Sequence, residues 1–452
     1  MGERLVVIGG DAAGMSAASQ ARQRRAPEDL EIIAFERGRH TSYSACGIPY
    51  WIGGVVDDDE DLVARTPDEH RKRGIDIRME HLVTAIDLDR REVTARGPDG
   101  AETRTGFDQL IIATGAVPIR PDWPGVDSRG VHGVQTLDDG EGVQETLDRG
   151  AKNAVVIGGG YIGVEMAEAM MMRGLSVTLV ERAPQPMNTL DPDMGSLVRD
   201  AMCGMGIDVR SDTSVTGIEA RPDGWVRGVA TDDGTIPADV VVLGIGVKPN
   251  SRMAAEAGLP VGITGGIVTD RRMRVPGHGG VWSAGDCVEV VHRVTGHPVA
   301  IALGTHANKQ GRVAGINIGG GYASFPGVVG TAVSKVCDLE IARTGLKERE
   351  AAAAGFDYVT ATIRSDSRAG YYPGARQMTV KVLAERGTGL LLGGQIVGRE
   401  GAAKRVDVLA VALWNEMTAD EITGLDLGYA PPFSPVWDPV LVAARKVAAA
   451  CR

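Results

Sequence analysis

Twice along this chain a short run of β-branched apolar residues breaks into glycines and then into small residues at helical spacing. The first copy is RLVVIGGDAAGMSAASQARQ, Arg4 to Gln23, and the second is NAVVIGGGYIGVEMAEAMMMRG, Asn153 to Gly174. A continuous apolar run ended by glycine predicts a buried strand, and the small-residue stretch predicts a helix packed closely upon it. Each copy leads to a second apolar run that closes on an acid, EIIAFE at Glu36 and SVTLVE at Glu181. Two later segments, FDQLIIATGAVP (Phe107 to Pro118) and GVWSAGDCVEV (Gly280 to Val290), each predict a strand followed by a turn of small residues.

Strand, glycine turn, helix, strand and acid make up the layout of a dinucleotide-binding fold. A pyrophosphate rests on the free N–H groups at the helix start, where the helix dipole adds positive charge. Glycine lets the backbone come close, and the acid accepts hydrogen bonds from the ribose. The second loop fits fully with Gly158, Gly160 and Gly163. The first reads Gly9-Gly10-Asp11-Ala12-Ala13-Gly14, with Asp11 where the middle glycine belongs. Its expected ligand contacts are Gly9, Gly10, Ala13, Gly14 and Glu36, joined by Ala113, Thr114 and Gly115 of the ATG turn. Asp286 ends a strand just before a helix, where a carboxylate can bind a ribitol hydroxyl; the ATG and GD turns therefore point to FAD in the first fold.

Length and composition agree with this picture. The 452 residues call for two to four domains, and 43% apolar with 24% charged residues is an ordinary globular balance. A net charge of −11 disfavours nucleic acid and anionic membranes as partners. No apolar run approaches a membrane span, and the opening MGERLVVIGG enters a strand at once, so a cytoplasmic protein without a signal peptide is expected. Five cysteines, Cys46, Cys203, Cys287, Cys337 and Cys451, contain no C-x-x-C pair, so neither a disulfide scaffold nor a metal site is expected. Cys203, Cys287 and Cys337 read as small buried hydrophobes, and Cys451 as a free tail thiol.

With these motifs the chain resembles the pyridine nucleotide–disulfide oxidoreductases over nearly its whole length. The resemblance implies an α/β, glutathione-reductase-like flavoprotein with two dinucleotide-binding domains and a C-terminal α+β dimerisation domain. The expected division is an FAD domain in two pieces (1–117 and 248–325), an NAD(P) domain (118–247) and a dimerisation domain (326–452). SYSACGIPYWIGG, Ser42 to Gly54, holds only Cys46 where two-cysteine members carry a C-x4-C pair. It looks like the single-cysteine branch of coenzyme A-disulfide reductases, NADH oxidases and NADH peroxidases. A flavin reduced by a nicotinamide nucleotide can then reduce either a mixed disulfide or a sulfenic acid at Cys46. Either cycle calls for a low-pKa thiolate, stabilised by a dipole or a positive charge. The oxidase and peroxidase relatives place a His in the first glycine loop, where this chain has Ala12. That favours a sulfur substrate: coenzyme A disulfide, a persulfide or polysulfide, or a similar small disulfide. A NADH oxidase or peroxidase and a flavoprotein electron carrier that does not turn over remain the alternatives.

By the same resemblance, Ser16, Gln20, Ser42 and Arg73 match positions that contact coenzyme A, and His306 lies near another; Arg22 adds a cation on the first helix. Ala45, Gln23 and Trp437 replace polar or cationic contacts of typical reductases. Tyr371, Tyr372 and Tyr429 match tyrosines that reach across a homodimer to the partner's cysteine and donate a hydrogen bond or proton there. Glu181 closes the second fold where a carboxylate repels the extra phosphate of NADPH, so NADH is the expected reductant; Arg182 beside it leaves NADPH use open.

Overall fold

The computed structural model describes residues 2–452. Its first sheet is parallel, in the order Val281–Ser283, Gln109–Ile112, Glu3–Ile8, Leu30–Phe35, Asp76–Arg78. The second repeats the design in the order Asp208–Arg210, Ser176–Val180, Asn153–Ile157, Val240–Leu243, Val131–His132. Central strands such as Leu5–Ile8 and Val240–Leu243 are buried throughout, which is why they read as unbroken apolar runs. Each sheet is accompanied by a three-stranded antiparallel meander, residues 82–106 in the first case and 215–237 in the second. The duplication seen in the glycine loops thus extends to whole units.

The first unit is closed by distant chain. The Val281–Ser283 strand joins its sheet, and the Gly304–Ile318 helix lies along the Ala12–Arg22 helix. Gly311 and Gly315 make that approach possible, since a Cβ at either would stand 2.2 Å from the carbonyl oxygen of Ala13 or Ala17. The chain leaves for the second unit and returns through one antiparallel pair, Ala116–Pro118 with Val247–Pro249.

The last unit is a five-stranded antiparallel sheet, 332–336, 339–345, 391–398, 377–385, 358–366, backed by the Ala402–Trp414 and Pro439–Cys451 helices. It is bolted to the second unit by a charge cluster centred on the buried Lys381 and Asp191. Lys381 Nζ lies 2.7 Å from Asp193, 3.2 Å from Asp191 and 2.5 Å from Glu348, and Gln395 Nε2 donates to Asp191 at 2.7 Å. A lysine with almost no exposed surface is sustained there by three carboxylates.

Candidate active site

The two glycine loops are built alike. Gly9 has φ +103° and Gly158 has φ +96°, left-handed values that a side chain would strain. A Cβ on Gly14 would stand 1.9 Å from Gly9 O, and one on Gly163 the same distance from Gly158 O. The strand-end acids bind the loops directly. Glu36 accepts from the N–H of Gly10 and of Gly38, both at 2.8 Å; Glu181 accepts from Gly159 at 2.7 Å and Ala183 at 2.8 Å. Each carboxylate oxygen keeps lone pairs for further donors, such as ribose hydroxyls.

At the third loop position the copies differ. Asp11 has φ −119° and Gly160 φ −74°, so neither backbone demands glycine. The Asp11 side chain turns out of the loop and accepts the Tyr43 N–H at 3.2 Å. Burial pushes its carboxyl up to about 6. Across the loop, Thr114 Oγ1 donates to Asn250 O at 2.6 Å, and Gly115 O takes the Asn250 N–H at 2.9 Å. Asp286 also rises to about 6 through burial, opposed by the Leu303 N–H, and its Oδ1 is buried with no partner. A buried, unpaired carboxyl oxygen beside a loop that only glycine can form suits a polyhydroxylated, pyrophosphate-bearing cofactor; the residues present fit FAD.

Cys46 follows on the same strip of chain. Ser42 takes φ +52°, its carbonyl accepts the Ala64 N–H at 2.8 Å, and Tyr43 pairs with Val63. The strip then winds through the Ala45–Gly47 turn into the Ile48–Ile52 helix, leaving Cys46 exposed. Low thiol pKa was the expectation, and the chain does the opposite. Partial desolvation by the surrounding protein pushes the thiol up, and the charges acting on it are the carboxylates Glu165 and Asp286 rather than cations. Glu165, on the Tyr161–Met172 helix, accepts from Ser334 Oγ at 2.8 Å and is pushed up to about 7 by burial. Tyr50 is pushed up to about 12, by burial and then by Glu165, Glu168 and Cys46. Sequence reasoning missed Glu165 and Tyr50, although both lie inside quoted motifs, YIGVE and CGIPY.

The outer contacts divide. Ser16 Oγ donates to Asn308 at 2.8 Å, tying the two apposed helices, and Gln20 lies between Gln23 and Arg24, at 3.0 Å from each. Arg22, expected to face substrate, is a correction. Its guanidinium is spent on the carbonyls of Gly74, Arg25 and Leu30, and burial lowers its pKa. A cation that staples the backbone in this way is not free for a phosphate. Arg73 is exposed at the end of the Pro67–Lys72 helix, and His306 is half-buried with Nδ1 3.5 Å from Ile301 O. Cys203 is a second correction: it is exposed on a helix, and Cys337 and Cys451 are half-buried, so only Cys287 is the buried thiol expected.

Tyr371, Tyr372 and Tyr429 stand at the surface of the C-terminal unit, Tyr371 beside Tyr429. Phe433 and Val436, 75% and 68% exposed, extend the same apolar stretch with Trp437.

With that geometry in view, the comparisons with known proteins are specific. A family model described as pyridine nucleotide-disulphide oxidoreductase matches residues 3–311, and the model of its dimerisation domain matches residues 331–439. The chain is 38% identical over 444 residues to the "NAD(P)H sulfur oxidoreductase (CoA-dependent)" of Pyrococcus abyssi, covering 98% of this chain and 97% of that one. It is 36% identical over 446 residues to a protein of Methanocaldococcus jannaschii named NADH oxidase, covering 98% of each. A solved structure, the NAD-dependent persulfide reductase from A. fulgidus, superposes with a TM-score of 0.95 at 40% identity, over 98% of this chain and 82% of that chain.

Proposed function

The chain belongs to the pyridine nucleotide-disulphide oxidoreductases, FAD-dependent enzymes that oxidise a nicotinamide nucleotide, and on that premise we propose that it reduces a small disulfide, coenzyme A disulfide or a persulfide or polysulfide, through Cys46. The observation that carries this reading is the setting of Cys46: an exposed thiol in the field of two buried carboxyls, Glu165 and Asp286, on a chain whose first glycine loop has Ala12 and so offers no proton.

FAD, held by Gly9, Gly10, Ala13, Gly14, Glu36, Ala113, Thr114, Gly115 and Asp286, supplies the two-electron relay between nicotinamide and sulfur. NADH binds at Gly158, Gly160, Gly163 and Glu181. The Cys46 thiolate attacks one sulfur of the substrate, breaking the S–S bond and releasing the first thiolate, which takes a proton. Two electrons from NADH then cleave the Cys46–sulfur bond, releasing the second thiol and restoring the thiolate. The balance is RSSR + NADH + H⁺ → 2 RSH + NAD⁺. Ser334 donates to Oε1 of Glu165, whose carboxyl burial pushes up to about 7; while that carboxyl is protonated, it does not oppose formation of the Cys46 thiolate.

Ser16, Gln20, Ser42, Arg73 and His306 are assigned to the substrate arm. Residues 1–117 and 248–325 form the FAD domain, 118–247 the NAD(P) domain and 326–452 the dimerisation domain. The exposed surface around Tyr371, Tyr429 and Phe433 supports a homodimer, in which Tyr371, Tyr372 and Tyr429 serve the partner's cysteine. Free thiols support a cytoplasmic setting. The carboxylate of Glu181 supports NADH over NADPH, expected as a higher kcat/KM for NADH in steady-state assays.

The M. jannaschii relative named NADH oxidase favours one rival, a cycle through a Cys46 sulfenic acid. Thiol release from coenzyme A disulfide and from polysulfide, measured against NADH consumption on peroxide, separates the two. Turnover confined to peroxide overturns the sulfur reading. Cys46→Ser is expected to abolish thiol release, on the order of 1,000-fold or more, while NADH still bleaches the flavin.

A further inference from the structure

His70 belongs to none of the roles assigned so far. It sits in the HRKRG string, which otherwise reads as a basic cluster, yet the residue has no exposed surface at all. Its Nε2 lies 2.9 Å from Ser42 Oγ, and its Nδ1 is buried without a partner. Ser42 Oγ in turn lies 3.4 Å from Thr41 Oγ1, and the fully buried Thr41 hydroxyl donates to Gly10 O in the first glycine loop.

These contacts order the protons. Thr41 has one hydrogen and spends it on Gly10 O, so it can only accept from Ser42. Ser42 can give its one hydrogen to Thr41 and accept from the imidazole, or give it to the imidazole; only the first order leaves no ring N–H unpaired. The line therefore runs His70 Nε2–H to Ser42 Oγ–H to Thr41 Oγ1–H to Gly10 O, and Nδ1 is left as a bare lone pair. The reverse order would bury an unpaired Nδ1–H, and orphaned N–H groups are the rarer defect in folded proteins. The ring also stays neutral: burial lowers His70 to about 4, helped by Arg65 and Arg73 and opposed by Glu69, the charged groups that face it.

We propose that His70 is a positioning residue for the cysteine strip: by donating to Ser42 it holds that residue in its left-handed conformation and fixes the path from the glycine loop to Cys46. Ser42 is otherwise held by its carbonyl, which accepts the Ala64 N–H, and by the longer contact with Thr41. Three residues separate Ser42 from Cys46, so a rotation at Ser42 re-aims the turn that presents the thiol. This rests on Cys46 being the reactive thiol of the proposed reaction.

The test uses FAD-loaded enzyme with ¹⁵N-labelled histidine. One histidine ring, assigned by its loss in His70→Gln, is expected to show a protonated Nε2 and a bare Nδ1 from about pH 5 to 8. An Nδ1–H tautomer, or titration near the ordinary 6.5, overturns the proposal. Gln places an amide N–H where Nε2–H stood, and Phe fills the space without a donor. His70→Phe and Ser42→Ala are expected to slow both alkylation of Cys46 by iodoacetamide and kcat/KM for the disulfide by about tenfold. His70→Gln stays within about threefold of the parent, and the KM for NADH holds in all three. Equal losses in His70→Gln and His70→Phe, or a parental alkylation rate in His70→Phe, refute it. If the parent releases no thiol from any disulfide, the functional reading fails; the tautomer and alkylation results still decide the role of His70.

Discussion

The two glycine loops are the same device put to two uses. In both, a left-handed glycine turns the strand, a second glycine lets the helix start press on that turn, and a strand-end acid grips the loop by its N–H groups. Two positions set them apart. At the third loop residue, Gly160 leaves the second loop bare, whereas Asp11 ties the first to Tyr43 and so to the cysteine strip. Two residues past the last glycine, Ser16 binds a neighbouring helix, while Glu165 binds Ser334 and its charge acts on the Cys46 thiol. The loop geometry is the constant part; chemistry is placed at the positions where φ is negative and a Cβ is free.

The comparison breaks most visibly at its shared glycines. Gly9→Ala would set a Cβ 2.1 Å from Ala113 O, and Gly158→Ala one 2.6 Å from Gly244 O, both at left-handed φ. Gly9→Ala is expected to give a colourless protein that FAD does not reconstitute. Gly158→Ala is expected to keep its yellow colour and bind NADH on the order of 100-fold more weakly. Absorbance at the flavin band and rapid-mixing reduction by NADH read the two outcomes; the same loss in both variants would mean that the loops do not serve separate ligands.

A smaller effect tests Asp11. Its carboxyl titrates near 6 in the folded chain against 3.8 in the unfolded one, so the folded state holds a proton that the unfolded state has released. That contribution is fully present below about 3.8 and is lost as pH rises through about 6, on the order of 3 kcal/mol in all. Asp11→Asn is expected to remove this pH dependence, so urea midpoints of the variant gain on the parent between about pH 4 and 7. A constant difference between the two proteins across that window refutes it.

Smallest is the effect at the paired helix positions. Glu165 raises the Cys46 thiol, so Glu165→Gln is expected to move the pH curve of Cys46 alkylation downward, and Ser16→Ala is expected to leave it in place. An upward or absent shift in Glu165→Gln would remove the carboxylate from the account of this thiol.

Much of this was legible in the chain itself. Unbroken apolar runs, paired glycines and a closing acid are local signals, and each copy carries its own, so both nucleotide folds could be read without contacts between them. Cys46 stood out as the candidate because its string has no second cysteine. Arg22 misled because sequence shows a cation but not the carbonyls it reaches; Gly74 and Leu30 are brought to it by folding. His70 was hidden for the converse reason, since a charged-looking string gave no sign that one member lies wholly buried.

The sequence alone determined where the chain turns, which residues must lack a Cβ and which thiol stands alone in the CGIPY string, because those follow from backbone sterics and from chemistry within a few residues. The tertiary structure decided how that thiol behaves. Its pKa depends on desolvation and on carboxylates from the second fold's helix and from the Val281–Ser283 strand end, groups remote in sequence that only packing brings to its field. The low-pKa cysteine that the motif implied is therefore not found in this setting: burial raises the thiol most, and Glu165 and Asp286 add to it.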